Sequence, residues 1–235
     1  MKYLLSLILL LCSCQNISDK SYGALQEMIT GELSESSITN GLKEALEKGT
    51  QNACASLSEN GGYSKNALYR ITIPKDLTGL TDTLKKIGFK QHIALFEKKM
   101  NEAAEEAAKK ATPIFIDAIS QMNLSDVNGI LMGKPTAATD FFQKKTSQKL
   151  SQTYEPIIKA KMQEIGLIDQ FNTLLKKYNS VPFSKPIKFT LEKYITEQAL
   201  NGLFDLLAET ERDIRKNPAA RTSQLLQKVF SKQDK

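Results

Sequence analysis

The sequence predicts an all-α protein: a single multi-helix domain carrying at most one short two-stranded β ribbon. Three observations predict it. Apolar residues recur at steps of three and four along most of the chain, the spacing that gathers them on one face of a helix. Tryptophan is absent and aromatic residues make up 7% of the 235 residues, so the core falls to aliphatic side chains and alanine, which suits helix packing better than a sheet. The 41% hydrophobic and 25% charged content is that of an ordinary globular protein.

Met1 to Cys14, MKYLLSLILLLCSC, has Lys2 followed by an apolar run from Leu4 to Leu11, a signal-peptide core too short to cross a bilayer. Leu11-Cys12-Ser13-Cys14 resembles a bacterial lipobox, with a branched apolar residue at −3 and a small one at −1. Cys12 would have Leu11 at −1, so Cys14 is the expected lipidation site. Residues 1–13 are then a lipoprotein signal peptide, 14–33 an acylated tether and 34–235 the helical domain. Acyl chains on Cys14 anchor the protein at about 0.8 kcal/mol per buried CH₂. The expected place is the cell envelope, lipid-anchored and facing the periplasm. Gln15 after the cysteine favours the outer over the inner membrane.

Within the domain, Ser34 is placed to cap a helix over about Glu35–Leu57, which the breaker Asn60-Gly61-Gly62 ends. Tyr69, Ile71 and Ile73 alternate with polar residues and predict one short strand, stopped by Pro74. Asp76 opens a short helix closed by Gly88. The longest helical pattern is Gln91–Met122. Ile93, Phe96, Met100, Ala103, Ala104, Ala107, Ala108, Ala111, Ile114, Phe115, Ala118, Ile119 and Met122 form its apolar stripe. Alanines at its middle let a neighbouring helix approach closely. Glu105 with Lys109, and Glu106 with Lys110, are i,i+4 pairs on its polar side. Pro113 predicts a kink or break near Ala111.

Further helices are expected over Asp126–Met132, over Ala137 to about Thr153, from Pro156 to Ile165 and from Leu167 to Tyr178. Ser180–Lys188, with two prolines, reads as a loop, and Ile187 with Phe189 is the second half of the expected ribbon. Thr190 starts a long helix lined by Tyr194, Ile195, Ala199, Leu203, Phe204, Leu207 and Ile214. Asn217-Pro218 ends it and begins a last helix, with Leu225, Leu226, Val229 and Phe230 towards the core.

The motifs of common chemistries are missing from this sequence: there is no glycine-rich phosphate loop, HExxH or CxxC. His92, the one histidine, reads as a partly exposed surface residue, and Cys54 as a buried free thiol. Glu102, Glu105 and Glu106, and likewise Glu209, Glu211 and Asp213, read as solvated helix faces. No Glu-x-x-His accompanies them, so neither metal nor cofactor is expected. The net charge of +6 is interspersed, which argues against a nucleic-acid partner.

GLKEAL at Gly41–Leu46, MNEAAEEA at Met100–Ala107, AATDFF at Ala137–Phe142, YITEQALNGLF at Tyr194–Phe204 and IRKNPAAR at Ile214–Arg221 together resemble the bacterial family catalogued as domain of unknown function 4197. The resemblance implies an all-helical fold and a secretory or lipoprotein signal, and it carries no catalytic residues. Polar residues on or beside the apolar faces of these motifs form a candidate polar cleft between the central helix and the helix after Thr190: Asn101, Glu105, Thr136, Thr139, Thr196, Asn201, Arg215 and Arg221. The expected function is a non-enzymatic binding or envelope-scaffold module. Its expected partners are the membrane, through the acyl chains, and an envelope protein. One alternative is a carrier of a lipid or other apolar ligand between helices. The other is a hydrolase built on carboxylates and hydroxyls.

Overall fold

The computed structural model describes residues 34–180 and 190–221, together with Gln227 and Phe230. They form one all-α domain whose helices are α1 (Glu35–Ser58), α2 (Thr78–Lys86), α3 (Lys90–Ala108), α4 (Thr112–Ser120), α5 (Leu124–Leu131), α6 (Ala137–Glu164), α7 (Leu167–Asn179) and α8 (Leu191–Lys216). Short 3-10 turns at Lys75–Leu77 and Pro218–Ala220 complete it. The expected signal peptide and tether, the expected Ser180–Lys188 loop beyond Ser180, and Leu225, Leu226 and Val229 of the last expected helix lie outside the described residues.

Sequence chemistry sets the helix ends. Ser34 Oγ accepts the Ser37 N–H at 3.1 Å and starts α1. Asn123 and Asp126 form a capping box that starts α5, each side chain taking the other residue's N–H. Gly88 and Gly166 both have positive φ, and each stands between two successive helices.

The alanine stripe is the middle of the fold. Every residue of it is buried except Ala118, which is half-buried, and α3 packs against α1, α6, α7 and α8. Pro113 breaks the helix rather than kinking it: α3 stops at Ala108 and the proline lies in the first turn of α4, where its missing N–H costs no hydrogen bond. The Lys110 and Ala111 N–H groups reach back three residues across the break at 3.0 and 3.2 Å, which keeps Ala111, Ile114 and Phe115 facing the same core. There Phe115 meets Phe142 and Phe204 edge-on, with centroids 5.4 and 6.2 Å apart, joining α4, α6 and α8.

Two expectations are corrected. The helices expected on either side of Pro156 are one helix, α6, with the proline inside it. Phe142, Thr146, Leu150, Tyr154, Ile158 and Met162 recur every four residues and all are buried, so burial along the whole length outweighs one lost backbone bond. The ribbon is absent among the described residues, since Tyr69–Ile73 has no strand structure; Ile187–Phe189 lies outside them. The partner this segment finds is a helix side chain. Asn101 Oδ1 accepts the Ile71 N–H at 2.9 Å while Asn101 Nδ2 donates to the Ile71 carbonyl at 2.8 Å, so one amide does for Ile71 what a neighbouring strand would do.

Candidate functional site

Two polar networks cross this core. The first binds the segment after the Gly61-Gly62 turn to α3 and α8. On α3, Glu97, Asn101 and Glu105 stand four residues apart on one face. Glu105 Oε1 accepts the N–H groups of Tyr63 and Ser64, both at 3.3 Å, and Glu97 pairs with Arg70 at 2.6 Å. From the segment, the Tyr63 hydroxyl donates to the Ala199 carbonyl at 2.7 Å and the Tyr69 hydroxyl to Glu209. Gly202 makes room for Tyr63, because a Cβ there would lie 3.0 Å from its ring. The expected Glu105–Lys109 surface pair is therefore corrected. Glu105 is buried, turned inward by the backbone donors that the glycine turn presents, and it is Glu106 that pairs with Lys109, at 2.7 Å.

The second network is centred on α8. Glu211 and Arg215, one turn apart, form a largely buried ion pair. Glu211 also receives the Ala138 and Thr139 N–H groups and the Thr139 hydroxyl, each at 2.9 Å, so its carboxylate sits on the positive end of α6. Arg215 donates to the carbonyls of Ile130 at 2.7 Å and Leu131 at 3.4 Å, at the C-terminal end of α5. Arg221, also buried, donates to the carbonyls of Ile214 and Arg215, both at 3.0 Å. The two guanidinium groups lie 5.4 and 6.0 Å from the centre of the Phe230 ring. Reading Glu211 as part of a solvated face is thus corrected, since the bare N–H groups of α6 draw it in.

Beside this network lies a narrow pocket between α1, α6 and α8. Its cavity volume is small, about 40 Å³. Leu42, Leu46, Ile130, Phe142, Leu207 and Phe230 are its main apolar walls, with Thr139, Glu211 and Arg215 along one side and Gly49 on another. The polar lining is already engaged. Besides the contacts above, the Thr50 hydroxyl donates to the Leu46 carbonyl at 2.8 Å and the Thr210 hydroxyl to the Leu206 carbonyl at 2.9 Å. What the pocket offers a guest is hydrocarbon.

Of the eight candidate cleft residues, Thr139 and Arg215 line this pocket. Arg221 braces Arg215 from behind, whereas Asn101 and Glu105 belong to the first network. Thr196 is buried and bonded to the Glu192 carbonyl of its own helix. Thr136 occupies the N-cap of α6 without a side-chain cap bond, and Asn201 is exposed on α8. Missed from sequence was the structural role of Glu211, whose i,i+4 spacing to Arg215 was the available signal. His92 is exposed, its ring tilted against Phe89 with centroids 4.9 Å apart. Cys54 is a buried free thiol, its pKa pushed up to about 11 by burial. Among the described residues no group of three or more His, Cys, Asp or Glu is placed to hold a metal ion.

The family model described as protein of unknown function (DUF4197) matches residues 32–231. No curated protein and no solved structure matches the chain.

Proposed function

The chain belongs to the DUF4197 family, and from the site its residues build we propose that it is a membrane-anchored lipoprotein whose helical domain is a non-enzymatic binding module, with the pocket between α1, α6 and α8 as its binding surface. The observation that carries this reading is the division of labour on the pocket wall. Thr139, Glu211 and Arg215 spend their hydrogen bonds holding helix ends, while the open space faces Leu, Ile and Phe side chains. An apolar ligand suits such a site, and a polar one would lose its water without replacement. Carrier of an apolar ligand is thus the form of binding that the geometry favours over a pure envelope scaffold. A hydrolase draws no support from Glu105 and Thr139, which belong to separate networks and are each engaged in structure.

Anchoring rests on Cys14 and its lipobox. No described helix is long and apolar enough to cross a membrane, so acyl chains on Cys14 would supply the attachment. Cys14→Ala is expected to move the protein from the membrane to the soluble fraction and to end incorporation of labelled palmitate. Unchanged fractionation, with no palmitate in the unmutated protein, contradicts the anchoring.

A further inference from the structure

Asparagine followed by glycine occurs four times in the sequence, at Asn40, Asn60, Asn128 and Asn201, and all four asparagines are exposed. Backbone, not exposure, separates them. Asn40 lies inside α1, Asn128 inside α5 and Asn201 inside α8, where the amide of the next glycine is held in the helical hydrogen-bond ladder and must leave it before its nitrogen can react. Asn60 stands two residues past the end of α1, in the turn that leads to Tyr63. Neither its carboxamide nor the Gly61 N–H has a hydrogen-bond partner among the described residues. Gly61 brings no side chain to shield that amide, and its φ of 97° is one that glycine adopts freely.

We propose that Asn60 is a site of spontaneous modification in the folded protein, where loss of its carboxamide and rearrangement to isoaspartate loosen the segment that Glu105 holds. The Gly61 nitrogen attacks Asn60 Cγ, the Cγ–Nδ2 bond breaks, and the Gly61 amide proton leaves with Nδ2 as ammonia. Water then opens the cyclic imide. Cleavage at Cγ gives aspartate, whereas cleavage at the main-chain carbonyl leaves the chain running through Cβ and Cγ, which is isoaspartate. Both products place a new carboxylate next to Glu59, and isoaspartate also lengthens the main chain by an atom. The turn has little slack for it. The Gly62 N–H donates to the Glu59 carbonyl at 2.9 Å and the Lys65 N–H to the Gly61 carbonyl at 3.0 Å, and even a Cβ on Gly62 would lie 2.4 Å from the Ser56 carbonyl oxygen. Directly downstream are the Tyr63 and Ser64 N–H groups that Glu105 accepts. Displacing them takes donors from a buried carboxylate.

The test ages the full-length protein at mildly alkaline pH, folded and in parallel in urea, and follows the four asparagines by mass-spectrometric peptide mapping, with isoaspartate read by its specific methyltransferase. In the folded protein Asn60 should be lost on the order of tenfold or more faster than Asn40, Asn128 or Asn201, since those three need a local opening of their helix first. In urea the four should react at similar rates. An Asn60 that stays intact in the folded protein while it reacts in urea, or a helical asparagine that reacts as fast as Asn60 in the folded protein, overturns the proposal. Isoaspartate-bearing protein should also exchange hydrogen faster than fresh protein at the Tyr63 and Ser64 amides, with exchange in α6 unchanged. Asn60→Gln, whose longer side chain forms the imide far more slowly, should age without that change. Unaltered exchange at Tyr63 and Ser64 once isoaspartate has formed, or the same change in aged Asn60→Gln, overturns the link to Glu105.

Discussion

Glu211 and Arg215 meet at 2.9 Å one turn apart on α8, with side chains only 10% and 8% exposed. Through them one helix holds the start of α6 and the end of α5 together. Removing either partner leaves the other without its counter-charge in a largely buried setting, and since each keeps its other hydrogen bonds the cost falls towards the lower end of the about 3–5 kcal/mol typical of a broken buried pair. Glu211→Ala and Arg215→Ala should each lower unfolding stability by that order in urea titrations. The double variant should lose clearly less than the sum. Additive losses would mean that the two groups act independently.

Asn101 substitutes for a strand opposite Ile71. Asn101→Leu removes the partners of two buried backbone groups and should cost about 2–6 kcal/mol, at about 1–3 kcal/mol for each group. Hydrogen exchange at the Ile71 amide should quicken more than exchange in α6. Asn101→Asp can still accept the Ile71 N–H, yet it cannot donate to the Ile71 carbonyl, so it should be destabilised as well.

Pro156 is exposed inside α6 and has no N–H to give. Pro156→Ala restores that hydrogen bond and removes the ring's clash with the carbonyl four residues back. Proline costs about 3 kcal/mol relative to alanine in a regular helix interior, and since this helix has already adapted, a gain of about 1–2 kcal/mol is expected by chemical denaturation.

Alkaline pH should unfold the domain. Burial pushes the Cys54 thiol from 9.0 up to about 11 and also raises the Tyr63 and Tyr154 hydroxyls. A group harder to ionise when folded contributes stability that is whole below its unfolded pKa and is lost as pH rises through the folded one. Melting temperature should therefore hold level with respect to these groups below pH 9 and fall from pH 9 to 11 and beyond. Cys54→Ala should remove part of the fall between 9 and 11. Iodoacetamide should modify Cys54 only as the protein unfolds.

Much of the fold was legible because its helices are amphipathic and capped by local chemistry. Ser34, Asn123 and the alanine stripe each act through neighbours within a few residues. The errors have a shared cause. Pro156 reads locally as a helix start, and only a buried ladder on both sides of it keeps α6 whole. Tyr69, Ile71 and Ile73 alternate as a strand does, but their partners are side chains of α3 and α8, far away in sequence. Glu105 and Glu211 look like surface carboxylates until the Tyr63 turn and the start of α6 are folded against them.

The central claim is that the α1–α6–α8 pocket is the binding surface for an apolar ligand, and the most direct measurement is the lipid content of the full-length protein purified from its own membranes. Lipids extracted into organic solvent are quantified by mass spectrometry against protein, for the unmutated chain and for Gly49→Leu. A stoichiometric lipid in the first, depleted at least tenfold in the second while acylation of Cys14 is unchanged, is the expected result. Equal lipid in both proteins, or none in either, would contradict the claim.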